Sequence, residues 1–273
     1  MTYVLRECTN AHEEKMNQIW DSIWMKSDLN KLMMNIEKDE LLPVLLKYLP
    51  KRGKILEAGC GLGQWVFFLR SKGYDILGID FAENTIQSLK RIDMEIPLEI
   101  GDVNNTEFPD SYFDAYISLG VVEHFQNGPF QALQEAKRIL RRNGLMLISV
   151  PVFNYSRRIM SKLESIYCLL RENQLVRRLQ GKNKYPQKSF IEFRFTIKEF
   201  EEILKKEKFV VVNKVPWVHN AFSLFNYYLE PPRFLIKNKF IEFFFDLFSS
   251  RLKKISPWIS PHQVIWICLN EKS

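Results

Sequence analysis

Short apolar runs alternate with segments of helical spacing through the middle of the chain. Runs of this kind indicate buried strands, and apolar positions that recur every three or four residues indicate amphipathic helices. The pattern predicts strands at 54–58, 75–80, 97–101, 113–119 and 144–150, with helices between them at about 63–72, 83–92 and 129–142. Strands that alternate with helices through short loops predict an α/β fold with a doubly wound, mostly parallel sheet.

The pattern continues on both sides of this core. Residues from about 11 to 47 predict a helical layer whose apolar face is formed by Met16, Ile19, Trp20, Ile23 and Trp24. Such a layer either packs on the core or covers the ligand site. Towards the other end, Thr196 and Glu199 have the spacing of a helix capping box. Apolar runs at about 209–212 and 263–269 bring the predicted sheet to seven strands.

This organisation predicts a helical N-terminal extension at 1–50 and one domain at 51–273. Two insertions interrupt that domain, at about 152–190 and 219–260. The formal net charge is +7, and residues 151–190 alone carry nine Lys/Arg against two Glu. Because the excess charge is confined to the insertions, we expect a local role near one face and no specific binding of nucleic acid.

The second insertion contains an aromatic segment at 234–254 with basic residues towards its ends. One interpretation is a helical cap over the acceptor pocket or the core, which Phe243 and Phe245 favour because they widen the apolar arc. A second is an interfacial helix that contacts a membrane or a lipid-tailed substrate. A third is a dimer interface.

The cysteines and the first residues of the chain bear on its compartment. Four cysteines are scattered without a CxxC pair, namely Cys8, Cys60, Cys168 and Cys268. They predict free thiols in a reducing environment. The first ten residues lack a basic region followed by an apolar stretch, so we expect a cytoplasmic protein.

A glycine-rich loop follows the first strand of the core. Gly59, Gly61 and Gly63 stand at alternate positions, and the second strand ends about twenty residues later at Asp80. Glycines let a backbone turn sharply beside a ligand, and a strand-end carboxylate accepts hydrogen bonds from a ribose diol. The pattern predicts a βαβ unit that binds a nucleoside.

Two residues distinguish between the candidate nucleosides. Gln64 stands where the dinucleotide fingerprint needs its last glycine. Glu57, two residues before the loop, would oppose a pyrophosphate as a like charge. S-adenosylmethionine carries an ammonium, a sulfonium and no phosphate, so this cofactor fits and NAD does not.

The motifs resemble those of the class I S-adenosylmethionine-dependent methyltransferases. The resemblance rests on Glu57 to Gly63, Asp80, the Ile100–Val103 strand end, the fourth strand with Phe113–Phe125, and Arg141–Pro151. Small-molecule enzymes of the quinone-biosynthesis type are the most similar group. The resemblance implies a Rossmann-like sheet whose last strand inserts antiparallel beside the fifth.

The resemblance also implies a cofactor site and a candidate base. The methionine end would meet Glu57, Gly59, Gly61 and Gly63, the ribose Asp80, and the adenine Phe81, Asp102 and Val103, with Leu119 lining the pocket. His124, just past the fourth strand, is either a general base or a histidine packed under its loop. Glu123 is either an orienting partner or a carboxylate favoured by a helix dipole.

Differences from the motifs of related enzymes limit the possible classes of methyl acceptor. Gly120 stands where some relatives carry the first glutamate of a metal site, so no metal is expected. The motif typical of enzymes that methylate flipped bases is missing after the fourth strand. The sequence therefore predicts methyl transfer to a small molecule, most simply at oxygen. Asn154, Arg157 and Arg158 would meet an anionic acceptor, or be ordinary exposed residues. The alternatives are a module that binds the cofactor without turnover and a membrane-surface-associated methyltransferase that acts on a lipid-like substrate.

Overall fold

The computed structural model describes residues 13–153, 192–217 and 263–272, with side chains from residue 18 onward. The chain divides into two compact units. The first comprises Met1–Pro151, Ser189–Val215 and Ile265–Ser273, and the second Val152–Lys188 and Pro216–Val264. The expectations for the two insertions, including Asn154, the two arginines and the aromatic segment, lie outside the described residues.

Seven strands form one sheet in the order β3-β2-β1-β4-β5-β7-β6. They are Lys54–Ala58 (β1), Asp75–Asp80 (β2), Leu98–Ile100 (β3), Phe113–Leu119 (β4), Leu140–Pro151 (β5), Phe209–Trp217 (β6) and Gln263–Asn270 (β7). The first five pair in parallel. The predicted α/β fold with a doubly wound, seven-stranded, mostly parallel sheet is confirmed.

Seven α-helices accompany the sheet within the described residues. They are Glu13–Trp24 (α1), Leu29–Asn35 (α2), Leu41–Tyr48 (α3), Gln64–Ser71 (α4), Glu83–Ile92 (α5), Phe130–Ile139 (α6) and Ile197–Lys206 (α7). The predicted capping box starts α7, because the Glu199 amide donates to Thr196 Oγ1 and the Thr196 amide to Glu199 Oε2. In the part of the chain that the structure describes, no helix is long and apolar enough to cross a membrane.

The central strands place the site. β1 is buried along most of its length, as expected of a parallel strand covered on both faces. In register, Glu57 pairs with Gly78 of β2 on one side and with Ile117 of β4 on the other. The carboxyl ends of these strands therefore meet at one edge, which is where ligands bind in open α/β sheets.

The start of β5 differs from the prediction. We expected a helix to residue 142 and a strand from 144, but α6 ends at Ile139 and β5 begins at Leu140. Leu140 pairs with Phe113, and Leu145 then pairs with Ala115, so β5 carries extra residues in a bulge. Asn143 in this bulge has a φ of 56°. Helical periodicity misled here because Leu140 is buried as a strand residue rather than as the last turn of a helix.

The last strand lies beside β5, as the resemblance implied. Asn270, at the end of β7, donates through Nδ2 to the carbonyls of Lys137, Leu140 and Arg141. The end of β7 thus lies against the beginning of β5, which is the arrangement of an antiparallel pair. The same side chain also satisfies carbonyls at the end of α6, a common need at helix termini.

Candidate active site

The glycine loop joins β1 to α4 in a tight turn. The amides of Gly59 and Cys60 both donate to the carbonyl of Ile79, at 2.8 and 3.0 Å, which bends the loop back onto β2. Gly59, Gly61 and Gly63 have φ angles of 79°, 54° and 71°. Residues with a Cβ rarely adopt this left-handed region, so the sequence of the loop follows from its backbone.

Each glycine of the loop also makes room for a different part of the protein. A Cβ on Gly59 would lie 2.4 Å from Cγ2 of Val121, which follows β4. A Cβ on Gly61 would lie 2.7 Å from Cζ2 of Trp24 in α1. The third, on Gly63, would meet Leu98 of β3 at 3.0 Å. Sequence reasoning assigned the missing side chains to a ligand and did not foresee these protein neighbours.

Asp80 ends β2 and holds the loop. Its Oδ2 accepts a hydrogen bond from the Gly61 amide at 2.8 Å, and its Oδ1 accepts one from the Ala82 amide at 2.9 Å. Burial raises the pKa of Asp80, and these backbone donors oppose the rise. Each carboxylate oxygen can accept a second hydrogen bond, so anchoring of the loop is compatible with the predicted contact to a ribose.

Glu57 is buried at the end of β1, with 3% of its surface exposed. Among the described residues, its Oε2 has no hydrogen-bond partner. Burial, and then repulsion by Asp80, raise the pKa of Glu57 to about 8. Burial thus favours the neutral form of this carboxyl in the ligand-free protein, a shift that the sequence pattern does not reveal. A buried acceptor without a partner is costly, so the site favours a ligand that donates to it.

The other predicted cofactor contacts follow β2, β3 and β4. Phe81 and Leu119 are half-buried. Val103 is buried, whereas Asp102 is exposed and accepts hydrogen bonds from the amide and the Nδ2 of Asn104. Strand ends at one edge of the sheet bring these residues towards the glycine loop. Their contacts with a cofactor stay predictions.

His124 lies in a 3₁₀ helix, Val122–His124, that follows β4. Its half-buried ring is 4.9 Å from the ring of Trp20, with 74° between the planes. The adjacent Glu123 is buried, and its carbonyl accepts a hydrogen bond from the Phe193 amide at 2.7 Å. The histidine ring therefore packs against Trp20 and keeps part of its surface exposed. Both interpretations of His124 remain compatible with this geometry.

Similar architecture occurs in solved structures. A SAM-dependent methyltransferase from Methanosarcina mazei superposes with a TM-score of 0.57 at 16% identity, covering 85% of this chain and 98% of that one. The [4+2]-cyclase SpnF superposes with a TM-score of 0.55 at 13% identity, covering 95% of this chain and 96% of that one. At such identities the likeness shows the fold alone.

Sequence comparison relates the central part of the chain to known methyltransferases. The family described as "Methyltransferase domain" matches residues 56–148, from β1 to β5. A probable S-adenosylmethionine-dependent methyltransferase from Mycolicibacterium smegmatis is 28% identical over 97 residues, 36% of this chain and 37% of that protein. Residues 56–148 therefore match a methyltransferase domain, and this region is similar to S-adenosylmethionine-dependent methyltransferases. The matched region contains Glu57, the glycine loop, Asp80 and His124.

The similar proteins indicate the type of domain but not the methyl acceptor. The chain spans 35% to 52% of the length of the first curated relatives that it matches. None of the proteins named above identifies the acceptor, and the quinone-biosynthesis type stays a prediction. Within the described residues, no group of three or more His, Cys, Asp or Glu side chains is placed to hold a metal ion.

Proposed function

We propose that this chain binds S-adenosylmethionine and transfers its methyl group to a small-molecule acceptor, most simply at oxygen. The observation that carries the proposal is Glu57, a buried carboxyl whose Oε2 has no hydrogen-bond partner among the described residues and which lies beside Asp80 and the glycine loop. An ammonium group supplies the missing donors and stabilises the ionised carboxylate. A pyrophosphate would supply neither.

The residues divide the binding task along the edge of the sheet. Glu57 accepts from the ammonium of the methionine end, and Asp80 accepts from ribose hydroxyls through lone pairs that the loop amides leave free. The exposed Asp102 carboxylate accepts from the adenine amine, while Val103 and Phe81 supply apolar contacts to the ring. When bound, S-adenosylmethionine supplies an electrophilic methyl group on a sulfonium.

The chain's contribution to catalysis is alignment and a proton acceptor. Methyl transfer is an in-line displacement, so holding the acceptor oxygen at near-attack distance in a dry pocket supplies much of the acceleration. The imidazole of His124 takes the proton of the acceptor hydroxyl as the new bond forms. The acceptor that we propose is a small molecule that is anionic or lipid-like.

A second candidate is a module that binds the cofactor without methyl transfer. The structural likeness to the [4+2]-cyclase SpnF supports this second candidate, because SpnF has a similar fold and is named for a reaction other than methyl transfer. The packing of His124 against Trp20 also fits a histidine without a catalytic role.

Two measurements test the proposal. Calorimetric titration with S-adenosylhomocysteine should show binding, and NAD under the same conditions should show none. S-adenosylmethionine labelled in its methyl group should then transfer the label to a hydroxyl-bearing member of a panel of alcohols, phenols, carboxylates, amines and lipid-tailed phenols. Binding without transfer to any class would favour the silent module, and tighter binding of NAD would refute both candidates.

A further inference from the structure

Helix α1 contacts both halves of the site through two tryptophans. Cζ2 of Trp24 lies 2.7 Å from the place that a Cβ on Gly61 would take. One turn earlier, the Trp20 ring meets the His124 ring at 4.9 Å. The two indoles stack with centroids 5.7 Å apart and 25° between their planes. Together they form a continuous aromatic surface from the glycine loop to the histidine.

Asp21 ties α1 to the first turn of α5, the helix that follows β2 and Asp80. Its Oδ1 accepts from the amide and the hydroxyl of Thr85 at 3.1 and 2.9 Å, and its Oδ2 accepts from Nδ2 of Asn84 at 2.8 Å. These donors lie in the first turn of α5, whose own N-cap residue, Ala82, offers no side-chain cap. Asp21 thus satisfies the start of α5 from another helix, as a capping side chain would. This contact joins α1 to α5 at the point where Trp20 and Trp24 approach the loop and the histidine.

The apolar side chains of α1 form two stripes that differ in solvent exposure. Ile19 and Ile23 are 44% and 42% exposed, whereas Trp20 and Trp24 are half-buried against the site. A helix that served only to extend the core would bury its isoleucines. The tryptophans instead face the loop and the histidine and keep part of their surface accessible.

We infer that α1 forms a wall of the active site, in which Trp24 contacts the bound cofactor beside Gly61 and Trp20 positions the imidazole of His124. The inference rests on the proposed function, because it names the occupant of the loop. An indole offers a large rigid surface at low entropic cost. Placed over the loop, it covers the cofactor and excludes water. Placed edge-on to His124, it restricts the orientation of the ring.

The role of Trp24 is tested by titrating the full chain with S-adenosylhomocysteine. Trp24→Ala should raise the Kd about tenfold or more, and Trp24→Phe should restore most of the affinity. Ile23→Ala is the matched control, since that side chain lies on the exposed stripe, and it should leave the Kd unchanged. An unchanged Kd for Trp24→Ala would overturn the inference. Tighter binding would also overturn it and identify Trp24 as a plug.

The role of Trp20 is tested on the histidine itself. The chain has four histidines, so ¹³C-labelled histidine gives few ring signals, and His124→Asn assigns the one of interest. Trp20→Leu should move the His124 signal and leave the other three in place, because the ring current of the indole is lost. Trp20→Phe should retain part of the original shift. Ile19→Ala should change nothing, and a His124 signal that does not move in Trp20→Leu would exclude positioning.

Failure of this inference differs from failure of the proposed function. If the unmodified chain does not bind S-adenosylhomocysteine, the proposed function is wrong. If it binds and the tryptophan variants behave as the unmodified chain does, the proposed function stands and the wall formed by α1 does not. Thermal unfolding of each variant separates local effects from loss of the fold.

Discussion

The glycine loop, where we propose that the cofactor binds (the cofactor half), and the turn that carries His124, where we propose that the acceptor binds (the acceptor half), are held by different kinds of contact. In the cofactor half, backbone amides of Gly59 and Gly61 bond to β2, about twenty residues away. In the acceptor half, His124 rests on Trp20, and its turn is tied to Phe193. The first half is therefore specified by a short motif. The second is assembled from elements that are distant in the sequence, namely α1 and the segment at Phe193.

The largest effect should come from filling the loop. Gly61→Ala forces a left-handed φ on a residue with a Cβ and drives that Cβ against Trp24, so the free energy of unfolding should fall by about 3 kcal/mol. Gly73 is a matched control, because its φ is 84° and nothing lies within 4 Å of an added Cβ. Gly73→Ala should cost about 1 kcal/mol. Equal losses in denaturant titrations would show that Trp24 does not constrain the loop.

In the acceptor half, His124→Asn should lower kcat about a hundredfold while the Kd for S-adenosylhomocysteine stays the same. Asparagine keeps a polar side chain of similar reach but cannot take the proton, and general base catalysis is worth about that factor. The measurement is turnover with the acceptor that the panel identifies. Undiminished turnover would leave His124 as a packing residue and make alignment the whole mechanism.

In the cofactor half, Asp80→Asn should weaken S-adenosylhomocysteine about thirtyfold, or roughly 2 kcal/mol. An asparagine side chain has one oxygen, so it can accept from the Gly61 amide or from the Ala82 amide but not from both. The hydrogen bonds to the loop and the proposed hydrogen bonds to the ribose should both be weakened. Asp75→Asn, at the exposed opposite end of the same strand, is the control and should bind normally. If the two variants bind alike in calorimetry, Asp80 is only a strand-end carboxylate.

A smaller effect should appear with pH. Because Glu57 has a pKa of about 8 in the free protein and must ionise to pair with an ammonium, affinity should rise about fivefold from pH 7 to pH 8. The stability of the ligand-free protein should change with pH in the opposite direction to the affinity. The unfolded chain loses this proton near its ordinary pKa of 4.5, so the free energy of unfolding should fall as pH rises from there to about 8. Glu57→Gln should flatten both profiles.

The sequence predicted the fold and the position of the glycine loop well for a physical reason. Alternation of buried strands with amphipathic helices constrains the topology, and the strands ending at Ala58, Asp80 and Leu119 were placed at their observed ends. A glycine loop between two such strands is a local feature. The position of the loop can therefore be predicted from neighbouring residues, without knowledge of the rest of the chain.

What sequence reasoning missed depends on contacts between distant residues. The periodicity of α1 put Ile19 and Ile23 on the same face as Trp20 and Trp24, although only the tryptophans meet the site. Nothing near Asp21 signals that it caps a helix more than sixty residues later. The raised pKa of Glu57 likewise follows from complete burial, which a strand-end glutamate does not announce.

Proton release on ligand binding tests the central claim most directly. At pH 7 Glu57 is mostly protonated, so calorimetry in two buffers of different ionisation enthalpy should show close to one proton released per S-adenosylhomocysteine bound. Glu57→Gln should release close to none, and NAD should not bind. Binding of S-adenosylhomocysteine without proton release, or binding of NAD in its place, would contradict the account.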